Sequence, residues 1–399
     1  MVRIAITGMG IVAACGVGVE AFRSHMQRNE SWGSLIERFD TAGLSAHSAA
    51  LIRDFNPRDF ISPMKMRRMN VISRYAISAA RLALRDRELD TFSGDVGVAL
   101  GTAFGPVQTS VEYMQEYVEK GAALAPPQLF AESVANAPGS HIAIEFGLRG
   151  FNITVTQRES SALAALMYAA SQVAKGGVSA AFAGGFDEVN EMLFSVLDRL
   201  GALAHDGGDG ECARPFDRRR NGMMMGEGGA VLITEVKPSR QPYAWISGFG
   251  MARDTTASIS DWGVGSEAIV SAMRAAIGDA GISVEDVNAV YASANSSRRG
   301  DRVEAEAIAK LFGSRVPPVV ATKGVFGEYA AGGALHVAAA VLAVADQVLH
   351  ASSGFEEACD TVTFDVNREY RGAALDHVLV NSVSAGGGIV SAVLSRGRV

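Results

Sequence analysis

The stretch from Phe151 to Asn190, FNITVTQRESSALAALMYAASQVAKGGVSAAFAGGFDEVN, restricts the fold more than any other part of the chain. Phe151 to Thr156 alternates β-branched and polar residues as a half-buried strand does, Ser160 or Ser161 is placed to cap a helix, and Ala162 to Val173 is apolar nearly all round. Ser179 to Gly185 reads as a second strand ending in Gly-Gly. A helix that is apolar on every side has to be buried. Strand, sharp turn, buried helix and second strand therefore imply a large α/β body. The turn holds one side chain at a helix N-terminus, where the dipole and free backbone N–H groups would stabilise a thiolate. That position carries Glu159.

The remaining chain supplies enough apolar residues for such a body. At 399 residues, 48% apolar and 20% charged, it can bury one large core or two fused ones. The 44 glycines against 11 prolines suit many tight strand–helix turns rather than linkers. A net charge of −7 argues against general nucleic-acid binding. Cys15, Cys212 and Cys359 are far apart and in no paired spacing, which argues against a disulfide framework or a zinc site and makes a reducing cytoplasm the expected compartment. The apolar start, Ile4 to Val12, is broken by Gly8 and Gly10 and has no clear cleavage site, and Val337 to Leu349 is too short to cross a bilayer. Both read as buried elements, and no membrane association is expected.

In chain order, residues 3–12 form a strand expected to turn at its glycines, and a helix follows from Val19 to Arg28. Lys65-Met66-Arg67-Arg68-Met69 reads as the basic start of a helix that continues through Val71 to Leu84. Asp95 to Thr102 is a strand, and Phe104 to Tyr117 carries Val107, Val111, Met114 and Tyr117 at helical spacing. Ala230 to Glu235 is a further strand, and a second strand–helix series begins at Tyr243. Ser266 is placed to cap a helix that ends before Gly281, and Asp301 to cap Val303 to Phe312 with Glu304 in a capping box. Val319 to Thr322 is a short strand, and Ala330 to Val348 an Ala-rich helix that mirrors the central one. A strand, turn and buried Ala-rich helix thus occur once in each part, which suggests an internal duplication with halves at residues 1–240 and 241–399.

These segments resemble the β-ketoacyl synthases, the condensing enzymes of fatty acid and polyketide synthesis. In that family a Cys opens the central helix and Ala-Gly-Gly closes the next strand; counting back from Ala183-Gly184-Gly185 puts Glu159 in the place of the Cys. The resemblance implies an α/β thiolase-like fold of two duplicated halves in a five-layered α-β-α-β-α arrangement, with no cofactor and no metal. Family enzymes also use two histidines to stabilise charge as carbon dioxide leaves. Alignment on Gly300-Asp301 puts the first at Ser293, and alignment on Thr322-Lys323 and Gly327 puts the second at Glu328. Lys323 matches a family lysine of the pocket floor. His336 lies eight residues past Glu328 and is expected to pack against the buried helix. Near the end, Asn381-Ser382-Val383-Ser384-Ala385-Gly386-Gly387 keeps the family frame without its two Phe, one of which gates the pocket.

A carboxylate cannot take over from the thiolate, because acyl transfer to it would give an anhydride rather than an exchangeable thioester. Glu159 and Glu328 in one pocket would raise one another unless Lys323 or Arg158 compensates, so an ion-paired or proton-sharing cluster is expected. The resemblance therefore points to a non-catalytic partner subunit, the chain length factor of type II polyketide synthases, forming a heterodimer with a Cys-bearing ketosynthase subunit. Glu159 departs from the Gln common in that group, which turns the subtype toward aryl polyene and related polyene systems. On this resemblance Phe104, Val107, Val111 and Met114 lie at the dimer interface beside the acyl tunnel, although core residues would look the same. Lys65, Arg67 and Arg68 would receive an acidic acyl carrier protein, or form a solvated basic turn. A stand-alone malonyl-thioester decarboxylase and an acyl-binding scaffold are the competing functions.

Overall fold

The computed structural model describes residues 3–397 except 32, 90, 91, 93, 94 and 260 and the side chains of 330–332. Its main sheet has eleven strands, ten of them along one path. The first five are β1 (Ile4–Ala13), β2 (Val96–Gly101), β3 (Asn152–Val155), β4 (Ala180–Asp187) and β5 (Gly228–Glu235). The second five are β6 (Ala244–Arg253), β7 (Ala289–Tyr291), β8 (Val319–Val320), β9 (His377–Val383) and β10 (Gly388–Ser395). The path runs β8-β7-β9-β10-β6-β1-β5-β4-β2-β3, so each half repeats one order outward from the centre. Pairing repeats as well: β2 is parallel to β3 and β4 as β7 is to β8 and β9, and the last strand of each half is antiparallel to its neighbours. The duplication seen in the Ala-rich helices is therefore built into the register. The halves are joined where Ile4 to Ile6 pair with Ala244 to Ile246.

The helices supply the other layers. Ser161–Ala174 and Ala330–Asp346 pack on each other and on strands of both halves, and their small side chains let the layers approach. Val71–Asp86 covers β1 and β5 on the outer face of the first half, and Glu267–Ala280 covers β6 and β10 on that of the second. This is the five-layer thiolase-like arrangement. No helix among the described residues is long and apolar enough to cross a membrane.

Several local expectations are corrected by packing. β1 does not turn at Gly8 and Gly10 but runs on to Ala13. Its glycines make room for Val71–Asp86: a Cβ on Gly10 would lie 1.8 Å from the Ala79 carbonyl oxygen. The basic segment is not continuous with the helix after it. Pro63–Met66 forms a short helix of its own, and Asn70 caps Val71–Asp86 by accepting the Ser73 N–H at 2.7 Å. The helix expected from Phe104 begins at Val107. Asp301 and Glu304 cap nothing: their helix is Arg298–Phe312, its N-cap is Ser297, and both carboxyls are buried inside it. Asp301 accepts the N–H groups of Phe216, Asn295 and Ser296, and Glu304 that of Ser293 and the Asn381 amide. Ser266 does stand at the N-cap of Glu267–Ala280, with Gly281 at its C-cap, but its side chain makes no cap bond.

Candidate functional site

The site forms where β3 passes into the first buried helix. Arg158–Ser160 is a 3₁₀ turn entered at a left-handed Arg158, φ +50°, and Glu159 follows at its centre. Ser160 stands at the N-cap of the helix, but neither serine makes a side-chain cap bond. Ser161 Oγ accepts the Gln157 N–H at 2.7 Å, and the Ser160 N–H donates to Ser384 Oγ at 2.9 Å. The turn is thus fixed to the Ser384–Gly387 bend between β9 and β10. From that side Ser382 Oγ donates to the Glu159 carbonyl at 3.0 Å, and the Ala385 N–H to Glu159 Oε2 at 3.2 Å.

The second half brings the other side chains. Lys323 Nζ donates to Glu328 Oε2 at 2.7 Å and to Ser293 Oγ at 3.3 Å, and the lysine and glutamate are each 1% exposed. Glu328 Oε1 also takes the N–H of Tyr329 at 2.8 Å. Ser293 is held by the Val383 N–H and by Glu304, so it joins the β9 bend to the lysine. Ser293 and Glu328 both bond Lys323, and Glu159, 2% exposed, lies close enough to feel the charges of Lys323 and Glu328. His336 is elsewhere: it lies on the buried Ala330–Asp346 helix, bonded to Thr322 Oγ1 and to the Tyr291 carbonyl, and burial holds it well below the usual histidine range.

Glu159 makes no ion pair among the described residues. Arg158 donates to the Ile259 carbonyl and lies 5.6 Å above the Phe104 ring, and Lys323 is committed to Glu328. Burial, and then the charge of Glu328, push the Glu159 carboxyl up to about 7. Between its ordinary 4.5 and about 7 the folded chain keeps a proton that the unfolded chain releases. Stability is therefore lost as pH rises through that window and levels off above it. Burial raises Glu188 and Glu304 to about 7 and Asp301 to about 6, in the same sense. Glu159→Gln removes one of these penalties. Its unfolding free energy from urea denaturation is expected to gain on the parent at pH 8 relative to pH 5, by on the order of 3 kcal/mol. Equal shifts at both pH values would show that the carboxyl ionises freely.

A cleft of about 620 Å³ opens above Glu159. Sequence reasoning missed most of its lining: Tyr329, Trp262, His205 and the Arg298–Arg299 pair. Tyr329 holds a left-handed backbone, φ +87°, which no local pattern announces in an aromatic residue.

The tunnel candidates separate. Phe104 packs edge-on against Tyr329, ring centroids 5.0 Å apart, and so belongs to this site. Val107, Val111 and Met114 lie instead on an outward apolar groove with Val118 and Met192. Met114 is 52% and Val118 77% exposed. Of the basic residues, Lys65 is paired with Glu145 at 2.7 Å, while Arg67 and Arg68 are exposed.

A duplicated five-layer body with its key turn at the N-terminus of the first buried helix defines a condensing-enzyme architecture. Residues 1–239 match the N-terminal domain of beta-ketoacyl synthase, and residues 243–356 its C-terminal domain. The chain belongs to the beta-ketoacyl synthase family. It is 30% identical over 410 residues to 3-oxoacyl-[acyl-carrier-protein] synthase 2 of Coxiella burnetii, covering 99% of this chain and 98% of the relative. It is 32% identical over 423 residues to a Streptomyces cyaneus protein described as polyketide beta-ketoacyl synthase 1, with 99% and 98% covered. Among solved structures, the ishigamide ketosynthase/chain length factor superposes with a TM-score of 0.92 at 26% identity, 99% of each chain covered. A beta-ketoacyl synthase from Burkholderia phymatum superposes with a TM-score of 0.91 at 26% identity over the whole of both chains.

Proposed function

We propose that this chain is a non-catalytic subunit of the chain length factor type, which pairs with a Cys-bearing ketosynthase and closes part of its acyl tunnel. The observation that carries the reading is Glu159, buried with no ion pair among the described residues at the turn where a nucleophile would have to stand. Its carboxyl offers no exchangeable thioester, and Glu328, paired with Lys323, presents no group able to stabilise a developing enolate. The likeness to a ketosynthase/chain length factor supports a paired state. So does the exposed groove of Val107, Val111, Met114 and Val118, an apolar surface of the kind that partners cover.

On this reading the four residues Phe104, Val107, Val111 and Met114 limit tunnel length, and Arg67 and Arg68, with Lys65, receive an acyl carrier protein. The reaction serves a cytoplasmic polyketide or polyene pathway. Co-expression with a Cys-bearing ketosynthase subunit from the same source is expected to yield a stable 1:1 complex that extends acyl thioesters, with product length shifting when Phe104 or Met114 is resized. The purified chain alone should extend nothing. Decarboxylation of malonyl thioesters by the single chain would instead establish the decarboxylase. Acyl binding with no complex would establish the scaffold.

A further inference from the structure

The cleft above Glu159 has unmet hydrogen-bonding capacity. Four of the residues that line it carry a buried polar atom with no partner: Arg158 Nε, Ser297 Oγ, Tyr329 Oη and Asn221 Oδ1. Tyr329 is 1% exposed, so its orphan hydroxyl cannot be left to solvent. Buried polar groups are rarely left unpaired, and several on one cavity mark a place where a ligand completes them. The orphans also state what is missing. A guanidinium N–H only donates, a hydroxyl can donate, and the amide oxygen only accepts. The occupant therefore brings several acceptor oxygens and at least one donor.

Charge selects the acceptor. Arg299 is neutralised by Asp261, but Arg158 and Arg298 carry no carboxylate partner among the described residues, and both border the cleft. Among the described residues, the charged or titratable groups around Glu159 are Arg158 on its own turn, Lys323 and Glu328 as a closed pair, the Tyr329 phenol, and His205, Arg298 and Arg299 along the cleft. A carboxyl without its own cation pairs well with a second carboxylate, since one shared proton makes a short charge-assisted O–H···O⁻ bond. Leu197, Leu200, Met223 and Trp262 provide an apolar wall for a short carbon body.

We propose that this cleft binds a small carboxylate bearing one hydrogen-bond donor of its own, held at Glu159 and the Tyr329 hydroxyl and drawn in by Arg158 and Arg298. The anion strengthens the hold of Glu159 on its proton, so binding takes up a proton above neutrality and weakens as pH rises. The site does not depend on the partner reading, because it is complete within one chain.

Calorimetric titration of the purified full-length chain with 3-hydroxybutyrate tests it, alongside 3-hydroxybutyramide and inorganic phosphate. Binding is expected to be saturable and about tenfold tighter at pH 6 than at pH 8, with proton uptake detected by comparing buffers of different ionisation heat. Tyr329→Phe should weaken it about tenfold. Glu159→Gln should keep binding and lose most of the pH dependence. Arg298 is exposed, so Arg298→Ala leaves the fold intact and should weaken the acid but not the amide. His205→Asn should leave the pH dependence in place. Equal binding of the amide, preference for phosphate, pH dependence that disappears with His205, or no saturable binding would each overturn the assignment. Failure of the co-expressed complex to extend acyl chains would leave these titrations unaffected, so the two readings fail separately.

Discussion

Lys323→Met is expected to cost roughly 3–5 kcal/mol of stability, because it leaves the buried carboxylate of Glu328 without its cation. The lysine and glutamate are 2.7 Å apart and each 1% exposed, and the same ammonium also bonds Ser293 Oγ. Glu159 would lose a nearby positive charge as well, so two carboxyls would face each other with Arg158 alone to offset them. Replacing both partners is a different matter, since a buried pair exchanged for neutral groups of similar size is often nearly neutral in stability. The double variant Lys323→Met/Glu328→Gln is therefore expected to recover most of the loss. Urea denaturation of the two variants measures the coupling directly. A single variant within 1 kcal/mol of the parent would mean that the ion pair is not what steadies this part of the site.

Gly10→Ala should be nearly as damaging, although it adds one methyl group. The new Cβ would stand 1.8 Å from the Ala79 carbonyl oxygen and 2.6 Å from the Ala83 nitrogen, both backbone atoms of a helix laid across the sheet. Backbone cannot rotate away as a side chain can. Val71–Asp86 would have to lift from β1, exposing apolar surface that is wholly buried, at a cost of about 3 kcal/mol or more. Gly43→Ala is the matched control, because its added Cβ meets nothing within 4 Å. Thermal unfolding of both variants separates close packing from a general intolerance of glycine replacement, and similar midpoints would remove the clash from consideration.

What could be read from the sequence follows the range over which each signal acts. The central segment was legible because a helix apolar on all sides, Ser161–Ala174, has only one place to go, and the strands before and after it inherit their positions from it. Glu159 was locatable for the same reason. Asp301 and Glu304 were not, since their three-residue spacing is also that of a capping box, while Phe216 and Asn381, which help to hold them, lie 85 and 77 residues away in the chain. Their place among Val303, Ala307 and Ile308 on a buried face was the usable signal, because an acid there needs distant donors. Gly8 and Gly10 misled in the opposite way: their reason is a helix passing overhead, and a local rule sees only a turn. Tyr329 had no sequence signal at all.

The strand order has a bearing on how the molecule comes into being. Within each half the first strand to be synthesised lies against the last: Ala5 faces Glu235, and Trp245 faces Ser395. Neither half can complete its part of the sheet while its final strand is still in the ribosome, and such long-range closure is slow. Until then apolar strands wait uncovered, with the opportunity to aggregate that this brings. Co-expression of a chaperone that shields nascent chains is therefore expected to raise the yield of native protein.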